Sequence, residues 1–118
     1  MSWRDYASAP PVGTDICAEA DLDRIRCLTV ESDNGHFPLL LVRLTEEIRA
    51  YVNACPHHYL PLDHLGDSIL SADGRRLMCS VHGATFDIAS GAAVQGTDCG
   101  LDPVPLMISN GMIRIAGA

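Results

Sequence analysis

Two short segments of the sequence combine residues that bind metals. They read C-P-H at positions 55–57 and C-S-V-H-G at positions 79–83. Together they supply two soft sulfur and two borderline nitrogen ligands, a set that suits zinc or an iron–sulfur cluster with mixed ligation. Structural zinc sites commonly repeat one ligand type within a segment. The mixed segments therefore favour iron–sulfur chemistry and leave structural zinc as the alternative, on Cys55, His57, Cys79 and His82.

The spacing of these residues resembles the Rieske family, whose pattern is C-x-H followed by C-x-x-H-G. In that family both cysteines bind one iron and both histidines bind the other, which lies near the protein surface. The resemblance extends to Leu62, at an apolar position that folds the first loop back, and to Phe86 and Gly91 in the tail after the second loop. In the family, the residue at the Phe86 position packs beneath the second loop. The resemblance implies one [2Fe–2S] cluster, bound by Cys55, His57, Cys79 and His82.

Both segments depart from the Rieske proteins of respiratory and photosynthetic complexes. Those proteins carry an additional cysteine in each loop, joined as a disulfide, where this chain has Leu60 and Val81. They also donate hydrogen bonds to the cluster from a serine and a tyrosine, where this chain has Ala84 and Phe86. Because fewer donors stabilise the reduced cluster less, we expect a reduction potential of about −150 mV, the lower end of the Rieske range.

The elements that must position these segments are predicted to be β-strands, because turn signals are frequent and the stretches between them are short. One helical turn is expected at 21–25, after an extended lead-in over the first dozen residues. The strand at 37–44 is continuously apolar, which predicts burial on both faces, and the strand at 48–52 alternates as a half-buried strand does. The strands are expected at 27–31, 37–44, 48–52, 104–109 and 112–115, with an Asn-Gly hairpin turn at 110–111.

The Rieske resemblance implies an all-β fold for this sequence. We expect one domain over 1–118, with an antiparallel β-sandwich or barrel-like core and a small cluster-binding subdomain made of two loops. That subdomain is expected at about 53–91, where the sequence is rich in Cys, His, Gly and Pro and poor in strand formers.

The charge and hydropathy patterns exclude several classes of function. Eight basic residues, all arginine, stand against fifteen acidic ones and give a formal charge of −7. This balance argues against nucleic acid and anionic membranes as partners. The apolar run at 38–42 is too short to cross a bilayer, and the polar start lacks the features of a signal peptide. We therefore expect a cytoplasmic protein whose five cysteines are ligands or core residues rather than disulfides.

The sequence contains six other cysteines and histidines that are candidates for the site. His58 follows a predicted ligand, but the first-loop pattern assigns His57, so His58 is expected to be exposed or bonded to the loop. Cys99 lies in the loop that approaches the cluster in the Rieske family, which allows a redox or packing role there. His64 is expected to be a solvated loop histidine, with tuning of partner binding near neutral pH as the alternative, and His36, after a turn, is expected to have no special role. Cys17 and Cys27 are expected to be core thiols.

The sequence contains no recognisable catalytic set, phosphate-binding loop or dinucleotide fingerprint. We therefore expect a soluble one-electron carrier, not itself an enzyme, between a flavoprotein reductase and an oxygenase or another acceptor. The alternatives are the small Rieske subunit of a nitrite-reductase-like enzyme, a redox sensor and a zinc-binding module. Partners are expected to dock transiently at the cluster tip, beside Tyr59, Leu60, Pro61 and Val81.

Overall fold

Short β-strands separated by turns form the framework of the protein. The structure is a computed structural model that describes residues 3–45, 47–55, 60–64, 66, 69–80, 83–97 and 99–117. These residues form nine strands in three antiparallel, three-stranded sheets, which confirms the predicted all-β class. The strands are β1 (Asp15–Ala18), β2 (Ile25–Ser32), β3 (Gly35–Arg43), β4 (Ile48–Val52), β5 (Arg76–Met78), β6 (Thr85–Asp87), β7 (Ala93–Gln95), β8 (Leu106–Ser109) and β9 (Met112–Ile115).

Strand β3 forms the apolar centre of the β2-β3-β4 sheet. It pairs with β2 on one side and with β4 on the other, and its Phe37 and Leu39–Val42 side chains are fully buried. The predicted burial of this strand on both faces is confirmed. Strand β4 differs from the predicted alternation, because Ala50, Tyr51 and Val52 are all buried. Tyr51 forms a β-bridge with Pro103, so a further chain segment lies along β4.

The second sheet has the order β1-β9-β8 and is closed by the predicted hairpin. Asn110 and Gly111 have φ angles of 52° and 77°, the left-handed pair that a two-residue hairpin turn of type I′ requires. Strand β8 begins at Leu106, two residues later than predicted. Pro105 has no N–H for a sheet, and the Val104 N–H donates to the Ala50 carbonyl oxygen instead, at 2.9 Å.

Two expectations for the first part of the chain are wrong. Trp3–Asp5 forms a 3₁₀ turn rather than an extended lead-in, because the buried Trp3 ring packs edge-on against Phe37, with ring centroids 6.2 Å apart. A second 3₁₀ turn spans Glu19–Asp21 instead of 21–25. The Arg43 guanidinium donates to the carbonyl oxygens of Glu19 and Leu22, which stabilises this turn. A turn that continues to Ile25 does not form because Ile25 is paired with Val42 in the sheet.

The chain divides into two compact units. One comprises the segments up to Val52 and from Asp102, and contains β1–β4, β8 and β9; the other is Asn53–Leu101 and contains β5–β7. The expected cluster-binding segment, 53–91, lies within the second unit, and it holds two short strands where irregular loops were expected. The helical segments that the structure describes are single 3₁₀ turns, and none qualifies as a membrane span.

Replacing Phe37 by alanine should destabilise the first unit. The ring is fully buried and contacts both Trp3 and Tyr6 edge-on, so Phe37→Ala should lower the free energy of unfolding by about 3–5 kcal/mol. Urea denaturation followed by circular dichroism measures the change. Met107→Ala, at an exposed position on β8, is the control and should stay within about 0.5 kcal/mol of the parent. Equal effects of the two substitutions would contradict this description of the core.

Candidate metal centre

Two buried cysteines mark the candidate site in the second unit. Cys55 lies two residues after Asn53, the first residue of that unit, and Cys79 comes directly after β5. Both side chains are withdrawn from solvent, with 0% and 2% of Cys55 and Cys79 exposed. The structure joins none of the five cysteines in a disulfide. Two buried thiols on separate loops are therefore available as thiolate ligands.

Backbone hydrogen bonds connect each cysteine to a residue a few positions further along the chain. The Cys55 N–H donates to the Leu60 carbonyl oxygen at 2.8 Å, and the Cys79 N–H donates to the Ala84 carbonyl oxygen at the same distance. A further bond, from the Gly83 N–H to the Cys79 carbonyl oxygen, closes a turn at 2.9 Å. Gly83 ends this turn with a φ of 71°, in the left-handed region that favours glycine. Both cysteines are thus held at the base of hydrogen-bonded loops.

One hydrogen bond connects the two loops directly. The Ser80 N–H donates to the Leu62 carbonyl oxygen at 2.8 Å, and the Leu62 side chain is fully buried. On its other side, the Leu62 N–H donates to the Asn53 side-chain oxygen at 2.8 Å. Leu62 therefore folds the first loop back, as its position in the sequence predicted, and its backbone also links the two cysteine-bearing segments.

A small sheet supports the second loop. Leu77 on β5 is paired with Phe86 on β6, and both side chains are fully buried. The Met78 N–H donates to the Ile69 carbonyl oxygen at 2.7 Å, which adds a segment beside β5. Before β5, a turn is held by Asp73, whose pKa is lowered by the Ser71 hydroxyl and then by the Arg75 N–H. The pairing of β5 with β6 ends at Met78, immediately before Cys79.

A third loop, at 96–100, packs against the second. Gly96 has a φ of 86°, and a Cβ at this position would lie only 3.0 Å from the Cα of Ala84. A Cβ on Gly100 would lie 2.6 Å from the Gly91 carbonyl oxygen. Cys99 lies between these glycines and is exposed, with its N–H donating to the Thr97 hydroxyl at 3.3 Å. Gly96 thus lies against Ala84, and a redox or packing role for Cys99 near the cluster stays a prediction.

Several of the predicted site residues lie outside the part of the chain that the structure describes. His57, His58 and His82 lie outside the described residues, as do two of the expected tip residues, Tyr59 and Val81. Within the part of the chain that the structure describes, no group of three or more His, Cys, Asp or Glu side chains surrounds a metal position. Since two of the four expected ligands are not among those residues, the set of Cys55, His57, Cys79 and His82 stays a prediction.

The other described thiols and imidazoles lie outside any ligand cluster. His64 is exposed as expected, and His36 is also exposed and lies 3.4 Å from the Glu31 carboxylate. Cys17 and Cys27 lie on β1 and β2, but both are half-buried rather than core thiols. Burial nevertheless raises the pKa of the Cys17 thiol, against the opposing charge of Arg26. A thiol with a raised pKa is a poor nucleophile and a poor metal ligand near neutral pH.

A comparison with protein-family models identifies the fold family. The model of the Rieske [2Fe-2S] domain matches residues 13–105. The chain belongs to the Rieske [2Fe-2S] domain family. Membership implies a [2Fe–2S] cluster with cysteine and histidine ligands, rather than the structural zinc that the four residues alone left open. The buried pair Cys55 and Cys79, on loops joined through Leu62, fits the thiolate half of such a ligand set.

Solved Rieske structures share the fold at low sequence identity. The Sphingomonas yanoikuyae B1 ferredoxin matches with a TM-score of 0.70 and 23% identity, over 90% of this chain and 99% of its own. The ferredoxin of carbazole 1,9a-dioxygenase from Nocardioides aromaticivorans IC177 has a TM-score of 0.71 and 17% identity, over 92% and 100%. A putative NADH-dependent nitrite reductase small subunit from Mycobacterium tuberculosis has a TM-score of 0.68 and 22% identity, over 91% and 96%. No curated protein matches the sequence.

Sequence reasoning missed Asn53, which the structure places beside the first Rieske loop. Asn53 is only 5% exposed and is hydrogen-bonded on both sides of its amide, to Leu62 and to Asp63. The available signal was its position two residues before Cys55, inside an apolar stretch where a polar side chain needs buried partners.

Substitution of either predicted histidine ligand should remove the mixed-ligand cluster. We expect His57→Ala and His82→Ala to lose the Rieske-type absorption and paramagnetic resonance signals, because each removes one of the two predicted nitrogen ligands. His64→Ala, at an exposed position in the same unit, is the control and should keep both signals. A normal Rieske spectrum from either ligand variant would show that the assignment is wrong.

A hydroxyl at position 84 should raise the reduction potential. Ala84 is buried beside the second loop and its methyl group donates no hydrogen bond. A serine bond that is about 1 kcal/mol stronger in the reduced state would raise a one-electron potential by about 40 mV. Redox titration of Ala84→Ser measures this shift from a starting value of about −150 mV. Ala72→Ser adds the same hydroxyl at an exposed turn and should leave the potential unchanged. A strongly positive potential of the parent protein would contradict the expected low-potential cluster.

Proposed function

We propose that the protein is a one-electron carrier that accepts electrons from a flavoprotein reductase and delivers them to a terminal oxygenase or another acceptor. Its cluster would be held by Cys55, His57, Cys79 and His82. The observation that carries this proposal is the pair of buried cysteines on two loops joined through Leu62, in a chain of the Rieske family.

When bound, the cluster supplies a centre that gains and loses single electrons. Residues of the second unit would hold its two cysteine ligands and exclude water from them. Cys55 and Cys79 are buried, and their loops are closed by bonds to Leu60 and Ala84.

The electron source is proposed to be a separate protein. The sequence contains neither a dinucleotide fingerprint nor a phosphate-binding loop, so NADH and flavin would be bound by the reductase. Nor does it contain a recognisable catalytic set, which supports a component of a redox system rather than a catalyst.

An oxygenase is proposed as acceptor because the protein shares its fold with a ferredoxin of carbazole 1,9a-dioxygenase. The formal charge of −7 favours partners with a basic docking surface. Leu60 and Pro61, which are half-buried, belong to the proposed docking tip. A small, transient interface of this kind permits rapid exchange of partners.

A second candidate function rests on the likeness to the nitrite reductase small subunit. That protein shares the fold at a similar TM-score, so a subunit role fits the fold equally well. A stable complex with a large subunit would favour this alternative over a freely diffusing carrier.

Reconstituted electron transfer tests the carrier proposal. NADH, a flavoprotein reductase and cytochrome c as the acceptor are combined with the cluster-loaded protein, and cytochrome c reduction is followed by absorbance. We expect the rate to rise with the amount of protein added. We also expect it to fall as salt is increased, since charge attraction between an acidic carrier and basic partners is screened.

The Cys79→Ser protein is the control, because it lacks one predicted ligand and should not increase the rate. A cluster-loaded parent that becomes reduced but does not accelerate cytochrome c reduction would contradict the carrier function and favour a redox sensor.

A further inference from the structure

Asn53 is a buried polar side chain, and both ends of its amide are hydrogen-bonded. Its side-chain oxygen accepts the Leu62 N–H at 2.8 Å, and its side-chain nitrogen donates to the Asp63 carboxylate at 3.1 Å. An asparagine suits this position because it offers an acceptor and a donor at once. The two neighbouring groups, a backbone N–H and a carboxylate, need opposite partners.

The bond to Leu62 reaches both cysteine-bearing segments. Asn53 lies two residues before Cys55, and the carbonyl oxygen of the same Leu62 accepts the Ser80 N–H, one residue after Cys79. A continuous path of hydrogen bonds therefore runs from the segment before Cys55 to the segment after Cys79. Its central residue is fully buried, so water cannot replace these bonds without opening the site.

We propose that Asn53 is the positioning residue of the metal centre, which fixes the two cysteine ligands relative to each other through the backbone of Leu62. The Asp63 carboxylate orients the Asn53 amide, so that its oxygen faces the Leu62 N–H. This role rests on the proposed ligation by Cys55 and Cys79 and concerns how firmly that ligand set holds iron.

The hydrogen bond between Asn53 and Asp63 allows a test by exchange of the two residues. Asn53→Asp leaves the acceptor for the Leu62 N–H but sets two carboxylates against each other. Asp63→Asn keeps an oxygen that accepts from Asn53. The double variant N53D/D63N has the parent's net charge and reverses the donor between the two side chains, while the Leu62 N–H keeps its acceptor.

Release of iron from the cluster-loaded protein to a ferrous chelator measures how firmly the ligands are held. We expect N53D to release iron about tenfold faster than the parent, because it loses a partly buried hydrogen bond to a charged group. D63N should release iron no more than about twofold faster, and the double variant should return close to the parent rate. The paramagnetic resonance line positions of the reduced protein should shift in N53D and return in the double variant.

Asn34→Asp is the matched control. Asn34 also donates from its side-chain amide, to the Ala9 carbonyl oxygen at 2.8 Å, but it lies in the other unit. The same change of residue there should leave iron release and line positions at their parent values. All rates are compared at a temperature at which circular dichroism shows every variant folded, so that global unfolding does not contribute.

Parent-like iron release and line positions in N53D would overturn the proposal. If N53D fails to fold, the double variant decides: a parent-like rate supports the exchange of donor and acceptor, and rapid release overturns it. A parent protein that holds no [2Fe–2S] cluster would overturn the proposed function itself. That result is distinct, because it appears before any substitution is made.

Discussion

The buried backbone of Leu62 is hydrogen-bonded in two directions, to Asn53 before Cys55 and to Ser80 after Cys79. Most other features of the second unit support this connection. The β5–β6 pairing ends β5 directly before Cys79, the Gly83 turn closes the second loop, and Gly96 allows the third loop to lie against Ala84. Buried backbone groups need partners, so separating the loops would leave several of them unsatisfied. The same bonds that satisfy the backbone therefore hold the two thiols in place.

Much of the first unit was predictable, because its strands have strong local signals. The apolar run of β3 and the Asn110-Gly111 turn predicted a buried central strand and a hairpin from the local sequence pattern alone. The differences arise where contacts distant in sequence decide the structure. Trp3 becomes a buried 3₁₀ residue because it packs against the Phe37 ring, and the last three residues of β4 are all buried because the Pro103 segment lies along that strand. Neither contact leaves a local pattern in the sequence.

The candidate site shows the opposite balance. Spacing and family resemblance indicate the cysteines and histidines as ligands, and the family match confirms the type of cluster. Asn53 was missed because one asparagine in an apolar stretch does not specify its partners; Leu62 and Asp63 lie nine and ten residues later. The residue types thus indicate the ligand chemistry, whereas the positions of the ligands depend on tertiary hydrogen bonds. The strands at 76–78 and 85–87 were missed because such short segments carry little periodicity.

We propose that Cys55, Cys79 and two histidines hold a one-electron [2Fe–2S] centre. An electron paramagnetic resonance spectrum of the dithionite-reduced protein is the sharpest test of this ligation. We expect a rhombic signal from one unpaired electron per chain, with the low average g value that results from mixed cysteine and histidine ligation. A colourless protein that contains zinc and gives no signal would contradict it.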